Sequence, residues 1–344
     1  QRLMAIGVRA FLVATVGGVG PFVLGTWVVG PILLPGLTPN AYLFLGATLT
    51  ATSVGITARV FRDLGKLHTP EAQIVLGAAV IDDVMGLIIL AVVSAIATVG
   101  SVSTLQIGWI TGKALLFLVG AIMIGQFIAP QLGKAFSKIH TGVGMKFTLA
   151  ISFGLLLAAA AQGIGLAPIV GAFAAGLVLD PVHFRYFKDP QIVSDMRETI
   201  HDVEPLLKQR LTEALESHAQ RHIEEIIEPI GLFLVPLFFV LTGMRVRLET
   251  LFQPDILLVA LGVTAVAFIG KVVSGLVAGN VRKSLVGWGM VPRGEVGLIF
   301  ASMGRSLNVI SDQVFSIIVI VVILTTLLTP PILTFLLRRE RVLS

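Results

Sequence analysis

An all-α polytopic membrane protein with about ten transmembrane helices is the fold class this sequence predicts, and three observations predict it. Of the 344 residues, 55% are hydrophobic and only 13% are charged. A soluble domain carries roughly 25% charged residues, so the chain lacks the charge to cover a water-facing surface. The mean hydropathy is +0.94, and the apolar residues fall in runs of roughly 20, the length that crosses a bilayer as a helix. Together these exclude a soluble fold and a disordered chain. There is no cysteine, so disulfides and thiolate metal sites are excluded.

The runs lie at about 8–30, 40–60, 71–99, 107–130, 143–163, 166–180, 226–244, 254–280, 284–305 and 312–337. The sixth is short. The start of the chain shows no signal-peptide pattern of charged head, short apolar run and small-residue cleavage site. Alternate turns are strongly basic. With the two ends, they hold nineteen of the 25 Lys and Arg residues, among them Arg59, Arg62, Lys66, Lys134, Lys138, Arg282, Lys283, Arg338 and Arg339. The opposite face holds only Arg245, Arg247 and Arg305, and Lys113, Lys271 and Arg293 fall inside spans. Basic loops stay in the cytoplasm, so both ends of this chain are expected there, with the spans in the cell (inner) membrane. The net charge of +5 therefore records orientation in a lipid bilayer, and no nucleic-acid partner is expected.

Residues 180–229 break the pattern, holding 11 of the 20 acidic residues. Leu207, Leu211 and Leu215 recur there at helical spacing, which predicts one amphipathic helix on the cytoplasmic face. His218 and His222 share one side of it, a spacing that suits a solvated face or, less simply, a metal site or pH sensor.

Five ionisable side chains lie inside spans: Asp82 and Asp83 in GAAVIDDVMGLIIL, Lys271 in AFIGKVVSGL, and Arg293 and Glu295 in GMVPRGEVGLIF. Each such charge costs about 2.5–3.5 kcal/mol to insert at the bilayer centre, so the five must face one another or a wet cavity. At about 1.5 Å of rise per residue, Asp82 lies roughly 16 Å beyond the start of span three and Lys271 roughly 14 Å from the end of span eight. Arg293 and Glu295 sit at similar depth in span nine. One shared mid-membrane site follows. Lys113 is near enough to a span end to snorkel and reads as structural.

Spans two and nine are unusual helices. Span two crowds Thr48, Thr50, Thr52, Ser53 and Gly55 into its middle, and span nine holds Gly287, Gly289, Pro292, Gly294 and Gly297. Hydroxyl side chains offer oxygen ligands and compete with helical hydrogen bonding, while Gly55, Pro292 and Gly294 weaken continuity. Two interrupted spans of opposite direction, at matching places in two groups of three (spans one to three and eight to ten), form the pattern of inverted three-helix repeats with two broken, crossing helices around a midplane site.

Asp82 and Asp83 point about 100° apart on their helix, so one can face a cavity while the other reaches a neighbour. Two close carboxylates in low dielectric hold protons or a monovalent cation, and not both at ease. That competition is sufficient for exchange. An intramembrane aspartyl protease would draw its two aspartates from different helices, and a cation channel would not hold an interior Lys; both remain remote alternatives.

At these residues the chain resembles a known family. TATSVGITARVFRDLG, VLGAAVIDDVMGLIILAVV, GIGLAPIVGAF, IGKVVSG and GMVPRGEVGLIFA are similar to the bacterial sodium/proton antiporters of the second monovalent cation:proton antiporter family, the paired-aspartate, electrogenic branch. The resemblance covers nearly all of the chain outside the 180–229 insert. It implies a transporter rather than an enzyme, with no cofactor, exchanging sodium, lithium or potassium for protons, with potassium/proton exchange the nearest alternative to sodium. It further implies Asp83 as main cation and proton carboxylate, Asp82 as partner of Lys271, Thr52 and Ser53 at the unwound crossing, and Arg293 and Glu295 as compensating charges. An elevator mechanism and a homodimer are implied as well. The expected organisation is a first core repeat over 1–99, linker and dimerisation-side helices over 100–180, the charged insert over 181–225, a connecting span over 226–253 and a second core repeat over 254–344. Members of the family carry about three spans before the point where this chain starts, so it is expected to lack its first spans.

Overall fold

The computed structural model describes residues 2–99, 104–179, 226–244 and 253–338. Among them the chain is helical throughout, with no strand. The bulk of the 180–229 insert, with its expected amphipathic helix and His218 and His222, lies outside the described residues, as do Arg245 and Arg247.

The first span is α1 (Arg2–Val23), which continues through a π-helical stretch, Leu24–Val29, into a last turn at Gly30–Leu33. Thr38 opens the second span by accepting the Ala41 N–H at 3.2 Å, with Pro39 at the first helical position, where a missing N–H costs nothing. This span comes in two pieces, α2 (Pro39–Thr50) and α3 (Val54–Asp63). α4 (Pro70–Val99) is the third span and carries the aspartate pair. Next come α5 (Thr104–Ser137), α6 (Val143–Gly163), the short α7 (Pro168–Val178) and α8 (Ile226–Met244). α9 (Pro254–Val272) tightens into a 3₁₀ turn at Val273–Val277. The ninth span is again two pieces, α10 (Lys283–Gly289) and α11 (Glu295–Ser306), and α12 (Asp312–Arg338) closes the described chain. Eight of these helical stretches, counting each kinked or broken first and second span as one, are long and apolar enough to cross a membrane. The fold is that of a polytopic all-α membrane protein.

Two compact units divide the chain, residues 1–111 with 239–344, and residues 112–238. In the second unit α6 and α7 pack so closely that a side chain on Gly171 would run into the Leu157 backbone. Lys113 donates to Ile164 O at 3.2 Å, so this in-span cation caps the C-terminal end of α6. Leu116, Phe127, Leu155 and Leu156 are exposed, as apolar side chains facing lipid must be.

The first unit is layered along its helices. At the basic end, Val13, Phe61, Val75, Leu285 and Leu333 join in one apolar cluster. Toward the other end, Leu49, Ile256, Val263, Ile317 and Val321 form a second. Between the two lie the interruptions of the second and ninth spans, and there the buried charges gather.

Candidate functional site

Breaking a helix in an apolar interior exposes unpaired carbonyls at one cut end and unpaired N–H groups at the other. Each broken span therefore brings a partly negative and a partly positive end to mid-bundle. The structure shows what meets each of the four.

At the carbonyl end of α2 stand two cations. The Arg293 guanidinium donates to Leu49 O through Nη2 at 2.7 Å and Nε at 3.2 Å, and also to Ala267 O at 3.3 Å. The Lys271 ammonium donates to Thr50 O and, at 2.9 Å, to Asp82 Oδ2. Lys271 and Arg293 are 0% exposed and Asp82 is 1% exposed. Two full charges buried this deeply are tolerable because each faces a carboxylate, a helix C-terminus or both.

Hydroxyls meet the carbonyl end of α10 instead. Thr57 Oγ1 donates to Gly289 O at 2.7 Å and Thr52 Oγ1 to Met290 O at 3.1 Å. The Ser53 N–H donates to Pro292 O at 2.7 Å, and Thr326 Oγ1 donates to Arg293 O at 2.6 Å. The two breaks thus cross in direct contact, and a side chain on Gly294 would come 2.7 Å from Ser53 Oγ. Glycine is favoured there by the approach of the Ser53 side chain.

One carboxylate stands beside the N-terminal ends of both α3 and α11. Glu295 begins α11, and its Oε2 accepts from Ser53 Oγ at 3.4 Å, Ser53 being the residue just before α3. An acid at a helix N-terminus offsets the positive end. Glu295 is exposed, unlike its sealed neighbour Arg293.

The adjacent aspartates have unequal surroundings. Asp82 gives one oxygen to Lys271, while its Oδ1 has no hydrogen-bond partner and faces Gly18 of α1, where a Cβ would come within 3.1 Å. Asp83 is only partly buried, and among the described residues its carboxylate makes no hydrogen bond or ion pair. Asp82, Glu295 and Lys271 are the charges close enough to act on it. The five in-span charges Asp82, Asp83, Lys271, Arg293 and Glu295 thus lie at or beside the crossing with Thr52, Ser53, Pro292 and Gly294, with one shift in register. The interruption in the second span falls on Ala51–Ser53, and Gly55 already belongs to α3. Here the Thr52 hydroxyl and the Ser53 N–H donate to the Met290 and Pro292 carbonyls of the ninth span in place of helical partners, so the break needs no glycine. Thr57, Thr326 and Gly18 were not anticipated. A threonine hydroxyl in an apolar span is the one signal that could have pointed to the first two.

Among the described residues no three His, Asp or Glu side chains converge as a tightly held metal would require. Carboxylate, hydroxyl and carbonyl oxygens do surround the crossing, and these suit a weakly held monovalent ion.

Buried opposite charges held at the crossing of two interrupted helices, in a bundle of long apolar helices, mark a polytopic membrane protein with a charged interior. The chain belongs to the sodium/hydrogen exchanger transmembrane family, whose pattern matches residues 1–207 and 211–339. It is 33% identical over 340 residues to the high-affinity Na(+)/H(+) antiporter NhaS3 of Synechocystis sp., covering 96% of this chain and 65% of that protein. It is 33% identical to the probable Na(+)/H(+) antiporter GerT of Bacillus cereus, covering 94% of this chain and 76% of the relative. To the Na(+)/H(+)-K(+) antiporter GerN of the same organism it is 32% identical, covering 97% and 77%.

Proposed function

We propose that this chain carries the ion path of an antiporter that exchanges a monovalent cation, sodium first, for protons, in the paired-aspartate branch of its family. One observation carries the proposal: Asp82 is committed to Lys271 by a 2.9 Å ion pair, while Asp83, next to it on α4, is partly open and unpaired. Asp83 then takes a proton or a cation in turn, with Glu295, Thr52 and Ser53 supplying nearby oxygens. A cation arriving at Asp83 draws Asp82 toward it and loosens the Lys271 contact. A proton at Asp83 leaves that contact intact. The two ligands thereby exclude one another through one pair of carboxylates.

In this reading spans one to three and eight to ten form two inverted repeats and move as one body, elevator-fashion, against the helices of 100–180. Residues 181–225 form a peripheral insert and 226–253 connect the halves. The full-length protein is a homodimer of the cell (inner) membrane, oriented with the basic end in the cytoplasm. Potassium is the second cargo to test, since one relative bears both ions in its name.

The test is dye-reported exchange in proteoliposomes holding the full-length protein, across sodium, lithium and potassium salts. Asp83→Asn is expected to abolish exchange at every pH. Exchange at the unmodified rate by that variant would refute the assignment, and current without coupling to a pH gradient would mark a channel instead.

A further inference from the structure

A cleft of about 610 Å³ opens at the basic end of the first unit, between α3 and α12, and none of the five in-span charges lines it. Its walls carry Arg59 and Asp63 from α3 and Thr334 and Arg338 from α12, and a smaller recess beside it, sharing Asp63 and Arg338, is bordered by Lys66. Both arginines are exposed, and among the described residues neither makes a hydrogen bond or an ion pair, even with Asp63 on the same wall. Two guanidinium forks from helices far apart in sequence therefore open onto one space of ligand size. Toward the floor the walls turn apolar at Ile56, Val60 and Pro330.

We propose that this cleft binds a glycerophosphate group. Guanidinium forks match phosphate oxygens two at a time, and the Thr334 hydroxyl adds a third donor. Asp63 would repel a bare phosphate, but it accepts from the free hydroxyls of a glycerol attached to one. The positive groups outnumber the single acid, which favours an anionic ligand over a zwitterionic one. The cleft sits where α3 and α12 end, at the level of lipid headgroups, and basic pockets between spans are suited to such groups. Its floor includes Gly55, two residues from Ser53, and Thr326, which holds the Arg293 carbonyl. An occupant would tie α3 to α12 beside the crossing. The same chemistry is presented by a phosphatidylglycerol headgroup and by soluble glycerol 3-phosphate.

Native mass spectrometry of the full chain in detergent, offered phosphatidylglycerol, phosphatidylethanolamine, phosphatidylcholine or glycerol 3-phosphate, tests this without reference to transport. Phosphatidylglycerol is expected to be retained at least tenfold better than phosphatidylcholine or phosphatidylethanolamine. The double variant Arg59→Gln/Arg338→Gln is expected to lose that preference, while Arg62→Gln, exposed on the same helix but outside the cleft, keeps it. Displacement of the lipid by equimolar glycerol 3-phosphate would support the site and assign it to a soluble ligand. Equal retention of all three lipids, an undiminished preference in the double variant, or an equal loss in Arg62→Gln would each overturn the proposal.

Discussion

The two interrupted spans solve the same problem by different means. In the second span the free carbonyls of α2 are met by full positive charges, Lys271 and Arg293. In the ninth, those of α10 are met by neutral donors, Thr52, Thr57 and a backbone N–H. Both cations are themselves buried, and Lys271 is tied to a carboxylate that the proposed exchange would disturb. The hydroxyl-closed end carries no charged link of that kind. The comparison teaches that the second break is closed by charges coupled to a carboxylate, while the ninth is closed by neutral donors.

That contrast can be broken by experiment, most severely at Lys271. Lys271→Met leaves Asp82 buried without its counter-charge, and losing one member of a buried pair costs about 3–5 kcal/mol. Chemical unfolding in detergent micelles should register a loss of that order, and one below about 1 kcal/mol would dissolve the distinction. Arg293→Met removes the charge-assisted contact with Leu49 O, worth about 1.5–3 kcal/mol, and should rank second in the same assay. Thr57→Val deletes one neutral bond, worth about 1 kcal/mol. If it matched Arg293→Met, the two ends would be energetically alike. Smallest of all is Ser53→Ala, because a 3.4 Å contact to Glu295 is at the weak limit of hydrogen bonding. A change of under about 0.5 kcal/mol is expected, and a larger one would show this carboxylate to be a stronger tie than its geometry allows.

Depth along a helix is arithmetic, and for that reason the level of the site was legible. Counting residues put Asp82 and Lys271 at one height, and a charge in lipid has to find a partner there. Rotation about the helix and the choice among partners were not legible to the same degree. The carbonyl that Arg293 chose, Leu49 O, is indistinguishable in sequence from every other carbonyl in the span. Gly55 attracted notice as a breaker, yet the interruption came at Ala51–Ser53, where partners from the ninth span were within reach. Gly18 looks like any small residue of a membrane helix until α4 is set against it with Asp82 Oδ1 at the contact.

Composition, run length and the placement of Lys and Arg determined on their own that this is a helical membrane bundle, which way it is expected to face, and that five charges must meet near its middle. These follow from the cost of charge and unpaired backbone in hydrocarbon, a cost that depends on residue type and depth alone. Which cut end each charge closes, and which of two neighbouring aspartates is left open, was decided only when the two broken spans crossed. Such pairings depend on distances of about 3 Å between segments more than 200 residues apart, from Thr52 to Met290 and from Leu49 to Arg293, and packing alone sets those.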